Sequence, residues 1–171
     1  NVLGQTLSLT RSGVYAGVPM ALSRHYVYDP QMRLCKRVEP ETGAALFDYD
    51  AAGNVAWTAE GQALTSLVCD RTAVVTSERA LRSYDNRNRQ VLVDYPDSTP
   101  DVSTTYTANG MVETITRSPT LLTYTYNKRG LLDSERLEYG SINWLTSHSH
   151  TTLGHLGATT YPSGLQVAYA P

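Results

Sequence analysis

The chain has 171 residues, enough for one domain, with 14 Lys and Arg against 16 Asp and Glu and a formal net charge of −2 at pH 7. A balance this even argues against nucleic acid or an anionic membrane as partner, since both call for a basic face. No apolar run approaches the roughly eighteen residues of a membrane-spanning helix, so no membrane span is expected.

The chain opens on Asn1-Val2-Leu3-Gly4-Gln5, which has neither the basic region nor the apolar stretch of a signal sequence. Asn is an unusual natural first residue, so the sequence reads as an excised segment. Turn-like Asn1 to Gly4 and the alternation Thr6-Leu7-Ser8-Leu9 read as a partial repeat over residues 1–23.

From residue 24 to 171 one pattern recurs. An aromatic anchor is followed by a polar tetrad and then by apolar residues: Tyr28-Asp29-Pro30-Gln31-Met32-Arg33-Leu34, then Tyr49-Asp50-Ala51-Ala52-Gly53-Asn54-Val55. Looser copies start at Tyr84-Asp85 and at Tyr106, which has Gly110 four residues on; Tyr126, with Gly130, is a close copy, and His150, with Gly154, is the loosest. The period is about twenty residues, with one longer interval between Tyr49 and Tyr84, as befits two strands and two connections. Tyr26, Phe47, Tyr124 and His148 lie two residues before their anchors, a spacing that places both on one face of a strand. In the tetrad, Asp29, Asp50, Asp85 and Asn127 suit a turn start. Gly53, Gly110, Gly130, Gly154 and Asn88 suit the positive φ of a type I turn closed by a bulge. Met32 does not, and predicts a differently shaped turn there. Gln90 stands where the other copies have an apolar residue. Clusters around Pro40, Pro96 and Pro162 predict the return turns between hairpins.

A non-repeat insertion lies near residues 58–80. Gly61-Gln62 reads as a turn, and Leu64, Leu67, Val68, Val74 and Val75 suggest an extra hairpin or a loop packed on the strands. Thr72 to Leu81 is the only weak helix candidate, and its Thr and Val content argues against it. At the other end the chain reaches a fresh anchor, Tyr169, before Ala170 and Pro171. Reading the end into the beginning makes a plausible hairpin, and a strip cut at both ends has two unpaired edges, so isolated copies are expected to associate edge to edge or to need their neighbours.

Few residues suggest chemistry. The repeated aspartates are expected to cap turns rather than to pair for acid–base work, because repeated hairpins would hold them apart. His148, His150 and His155 have a zinc-like flavour. His148 and His150 occupy aromatic positions of the repeat, and aromatic substitution is the preferred account. Cys35 and Cys69 either pair or remain buried free thiols, the second being the commoner case. Trp57 and Trp144 fall on predicted strands, where packing is expected; Trp144, with Tyr139, is also a candidate for stacking on a sugar ring. No nucleophile–base set, phosphate loop or metal motif stands out. The chain is therefore expected not to be an enzyme and to hold no cofactor.

These residues resemble the Rhs/YD-repeat family, whose signature is Tyr-Asp, a short turn with Gly, then Arg or Asn and an apolar residue. Tyr28-Asp29, Tyr49-Asp50 and Tyr84-Asp85 carry the dipeptide; Arg33-Leu34 and Asn54-Val55 carry the pair that follows; Glu39-Pro40-Glu41-Thr42-Gly43 matches as a turn. The resemblance implies an all-β fold of tandem YD-repeat hairpins in one curved antiparallel strip, a segment of a hollow Rhs-type shell. It implies a secreted or cell-surface protein whose partners are flanking repeats of the same or neighbouring chains and an enclosed toxin domain. The alternative is a surface adhesion or carbohydrate-binding module. The self-cleaving aspartyl-protease-like core of the family has no matching motif in these residues.

Overall fold

A computed structural model describes residues 3–169. The strands are β1 (Ser8–Tyr15), β2 (Val18–Tyr28), β3 (Leu34–Glu39), β4 (Gly43–Tyr49), β5 (Val55–Gln62), β6 (Ala80–Tyr84), β7 (Gln90–Asp94), β8 (Val102–Tyr106), β9 (Val112–Arg117), β10 (Thr120–Tyr126), β11 (Leu132–Tyr139), β12 (Ile142–His150), β13 (Leu156–Thr160) and β14 (Gln166–Ala168). They form one 14-stranded antiparallel sheet in chain order, as expected of tandem hairpins. The expected joining of the two chain ends involves Asn1, Val2, Ala170 and Pro171, which lie outside the described residues.

Each anchor from Tyr28 to His150 is the last residue of its strand, and the next strand begins six residues later, at Leu34, Val55, Gln90, Val112, Leu132 or Leu156; Tyr169 lies just past the end of β14. Gln90 therefore fits the pattern: the position is set by the turn, not by hydrophobicity. Each turn closes with the same two backbone bonds. In the clearest copy Asp50 N–H donates to Asn54 O at 2.9 Å and Gly53 N–H to Asp50 O at 3.1 Å.

Met32 makes the same turn as the glycine copies, contrary to expectation. Met32 N–H donates to Asp29 O, and Asp29 N–H to Arg33 O, both at 2.8 Å. Met32 adopts φ 62° and Asn88 φ 58°, against 88° at Gly53. The aspartate's grip on the surrounding backbone imposes this left-handed conformation, which costs a residue with a Cβ about 1–2 kcal/mol. A seventh turn of the same kind runs from Tyr161 to Leu165, across the Pro162 cluster.

A bulge follows the turns after Tyr28, Tyr49, Tyr106, Tyr126 and His150. Val27 pairs with Lys36 but Tyr28 with Leu34, leaving Cys35 as the extra residue. The same shift leaves Ala56, Glu113, Asp133 and Gly157 as extra residues in their hairpins. A bulge at one position adds the same local bend to each of these five hairpins, while the β13–β14 ladder after the seventh turn runs without a shift.

The chain divides into two compact units: one takes the chain through Ser83 with Tyr95–Ser98, the other Tyr84–Asp94 and the chain from Thr99 onward. The first has a buried core of Ala44, Leu46, Trp57, Ala59 and Val74, with Val38, Ala56 and Leu64 packed against it. Val74 belongs to the insertion, which is not a hairpin. Residues 63–79 form no strand, only two single turns of 3-10 helix, Arg71–Ala73 and Thr76–Glu78. The weak helix candidate resolves into parts of these turns and the start of β6. Gly61-Gln62 is no turn either: β5 runs through both, and Gly61 (φ 67°) sits where the β4–β5 ladder shifts register between Ala44 and Leu46. Gly43 faces this spot, and a Cβ on it would stand 2.8 Å from Gln62 O.

In the second unit the faces differ in chemistry. Cross-strand pairing aligns Thr104, Ile115, Leu122, Leu137 and Trp144 in one row. The opposite face is rich in hydroxyls, with Thr105 bonded to Thr114 and Thr125 to Ser134 at 2.7 Å each.

Candidate functional site

The recurring arrangement is a ladder built at the turns. The first tetrad residue turns its side chain back along the loop. Asp29 Oδ1 accepts from Gln31 N–H at 3.0 Å and Arg33 N–H at 2.9 Å. Asp50 Oδ1 accepts from Ala52 and Asn54 N–H at 2.9 Å each. Asp85 Oδ1 accepts from Arg87 N–H at 2.8 Å and Arg89 N–H at 3.0 Å. Asn127 does the same for Arg129 and Leu131, while Thr107 and Thr151 each accept one such bond. The carboxylates are thus turn caps, each in its own hairpin.

The second carboxylate oxygen explains the Arg or Asn five residues past the anchor. Asp29 Oδ2 takes Arg33 Nε and Nη2 at 3.0 Å each. Asp50 Oδ2 takes Asn54 Nδ2 at 3.0 Å, and Asp85 Oδ2 takes Arg89 Nε at 2.7 Å. The arginine then covers the next anchor: the Arg33 guanidinium lies 4.5 Å from the Tyr49 ring centroid, and that of Arg89 4.2 Å from Tyr106. Such contacts contribute on the order of 0.5–2 kcal/mol each. The anchor completes the tie through its hydroxyl, with Tyr49 donating to Leu34 O, Tyr106 to Gln90 O and Tyr126 to Val112 O, all at 2.8 Å. Tyr28 donates to Thr6 O at 3.0 Å. The second unit adds a rung from the middle of the tetrad, where Arg87 donates to Ala108 O and Arg129 to Thr151 O, both at 3.2 Å. Arg129 passes so near Gly154 (φ 93°) that a Cβ there would meet its Nη2 at 2.9 Å.

The charges respond to this geometry. Burial pushes the Asp29 carboxyl up, but hydrogen bonds from Arg33 and Arg71 outweigh it and hold the pKa at about 2. The Arg89 side chain and the turn amides bring Asp85 to about 2 as well. Asp50 is lowered, first by the Asn54 side chain.

The insertion is strapped across the first unit by side chains. Cys35 and Cys69 form a disulfide, with Cα atoms 5.5 Å apart, so the expectation of free thiols is corrected. The bulge that frees Cys35 from the ladder was not visible in the spacing of the two cysteines. Lys36, wholly buried, donates through Nζ to Asp70 Oδ1 at 2.9 Å and Ser66 Oγ at 3.0 Å. Burial raises the Asp70 carboxyl, yet hydrogen bonds from Ser66 and Lys36 leave it below its ordinary value. Arg71 reaches Phe47 O at 2.7 Å, Asp29 at 3.1 Å and Asp48 at 3.3 Å. The Arg79 guanidinium lies 4.3 Å from the Trp57 ring. Asp48 is thus an ion-pair partner of Arg71. Sequence reasoning passed over Lys36 and Arg71, and with Arg37 and Glu39 on the same strand the charge of Lys36 gave no signal that it points inward.

The remaining candidates lie apart from the ladder. Trp144 and Tyr139 share a face in the β11–β12 hairpin and are 47% and 52% exposed, beside Leu122 and Leu137. His148 contacts Thr159 Oγ1 at 3.2 Å. Among the described residues no group of three or more His, Cys, Asp or Glu is arranged to hold a metal ion. Among them, too, no helix is long and apolar enough to cross a membrane.

No family model matches the sequence, and no curated protein does. Solved structures do match in fold. TcdB2-TccC3-Cdc42 superposes with a TM-score of 0.68 at 11% identity, over 93% of this chain and 9% of that one. A Tc holotoxin pore of Photorhabdus luminescens, carrying a TccC3 mutation, gives 0.66 at 12% identity over 93% and 8%. TcdB2-TccC3 without its hypervariable C-terminal region gives 0.66 at 13% over 93% and 9%. The likeness is one of fold: an Rhs-like antiparallel hairpin sheet. The chain spans less than a tenth of the length of these neighbours.

Proposed function

We propose that the chain is a wall segment of an Rhs/YD-type shell, secreted or delivered to a cell surface, that encloses a toxic domain. Its work is containment, and it carries out no catalysis of its own. A continuous hydrogen-bonded sheet separates cargo from solvent and from the producing cell. The partners are flanking repeats and the enclosed domain.

The observation that carries this reading is the ladder: each tie joins one hairpin to its predecessor, through a phenol to a backbone carbonyl and an arginine to a ring. Strength is spread along the strip rather than gathered at a pocket, which is what a wall needs. The shared fold with a small part of much longer chains, in a Tc holotoxin pore among others, favours the same role.

Electron cryo-microscopy of the polypeptide as its source cell makes it tests the reading. A closed hollow particle with these hairpins in its wall is expected; an open strip with both faces in solvent would refute it. The adhesion alternative draws on the exposure of Trp144 and Tyr139. It requires saturable glycan binding that Trp144→Ala abolishes.

A further inference from the structure

We propose that the strap of residues 63–79 is a redox-operated cover, held shut by the Cys35–Cys69 disulfide over a face of the sheet that is complete without it. This does not rest on the shell reading.

The strap adds no strand to the ladder, and β5 and β6 on either side of it pair directly, Trp57 with Leu81 and Thr58 with Ala80. The sheet therefore closes beneath it. What the strap supplies is a lid: Val74 on Leu46 and Trp57, Arg79 over the indole, and Asp70 and Ser66 on Lys36. One covalent bond joins this lid to the strands it covers, closing a sequence separation of 34 residues. The other attachments are non-covalent: Val74 buried in the core cluster, Arg79 on the Trp57 ring, and ion pairs and hydrogen bonds whose strap-side groups are partly exposed, with Arg71 and Asp70 side chains at 22% and 20%. None of them is covalent, and all gain when the cystine has already removed the entropy of closing the loop.

The disulfide is also approachable from one side. Cys35 is fully buried, whereas Cys69 is part exposed. A dithiol reductant attacks through its thiolate at the Cys69 sulfur, forming a mixed disulfide and expelling the Cys35 thiolate, which takes up a proton. The second thiol of the reductant then displaces Cys69, leaving two protein thiols and one oxidised reductant: two electrons and two protons transferred. The freed strap opens as a loop tethered at Gln62 and Ala80, uncovering Trp57 and Lys36.

The test is dithiothreitol treatment of the intact chain, read by indole emission, by trypsin cleavage after Arg71 and Arg79, and by far-ultraviolet circular dichroism. Trp57 is 6% exposed and Trp144 already 47%, so a shift to longer wavelength reports on Trp57. The proposal expects that shift, cleavage at both arginines faster by about ten-fold or more, and an unchanged strand signal. The Cys35→Ala/Cys69→Ala variant should give the opened signals without reductant and ignore its addition. Reduced protein that keeps Trp57 covered and both arginines resistant would overturn it, because the non-covalent contacts would then suffice. Loss of the strand signal would overturn it equally, because the disulfide would then hold the whole unit and not a cover.

Discussion

The hydroxyl of Tyr126 donates to the carbonyl oxygen of Val112 at 2.8 Å, joining the end of β10 to the start of β9. Val112 is the residue at which the previous hairpin resumes after its own anchor turn. Tyr106 and Tyr49 make the same bond to Gln90 and Leu34. Phenylalanine would fill the same space without the donor, a physical reason for a composition of 12 Tyr to 1 Phe.

Tyr126→Phe should therefore lower stability by about 1 kcal/mol, the net worth of one such hydrogen bond. Tyr15→Phe should change nothing measurable, since Tyr15 is 76% exposed. Urea unfolding of both variants checks this, and equal effects would refute the assignment.

Two substitutions at the same turn position should act with opposite signs. Met32→Gly relieves a left-handed methionine and should stabilise by roughly 0.5–1 kcal/mol, the strain relief being partly offset by the entropy of a new glycine. Gly53→Ala should cost about 1–2 kcal/mol by imposing that strain where no atom would clash with the new methyl. Thermal midpoints measured side by side decide it.

Acid should weaken the turns in a defined window. Asp29 and Asp85 both have folded-state pKa values of about 2, below an ordinary value of 3.8. A lowered folded pKa means that the unfolded chain takes up its protons first. The stabilisation is complete above about pH 5 and declines as pH falls through 4 towards 2. Denaturant midpoints across that range should fall, and Asp29→Asn should flatten the decline. An unchanged profile in that variant would exclude Asp29 as a source.

The buried pair at the strap should be asymmetric. Asp70→Ala strands the Lys36 ammonium in a dry site and should cost about 3–5 kcal/mol. The double variant Lys36→Met/Asp70→Ala should recover much of that loss, because an apolar chain of similar length replaces the orphaned charge. Chemical denaturation of the single and double variants measures the coupling, and simple additivity would show that the two groups act independently.

The local pattern was legible in the residues themselves. Alternation, a tetrad starting in Asp, Asn or Thr and a left-handed position four residues after the anchor dictate a hairpin, because those preferences act within one turn of chain. That reasoning places the anchors from Tyr28 to His150 at strand ends, and it is why Asp29, Asp50 and Asp85 read as caps and not as catalysts. Its errors lay where several distant groups act on one residue. Met32 was judged by its own φ preference, but the Asp29 carboxylate, held by Arg33 and Arg71, sets the backbone there. Cys35 could not be matched to Cys69 by spacing, since their approach depends on a bulge in β3 and on the path of a strap without regular structure. Lys36 became a core residue only because Asp70 and Ser66 arrive from about thirty residues away in sequence. Short-range geometry wrote the hairpins into the sequence; side chains meeting across long loops decided what covers them, and those meetings have no local signature.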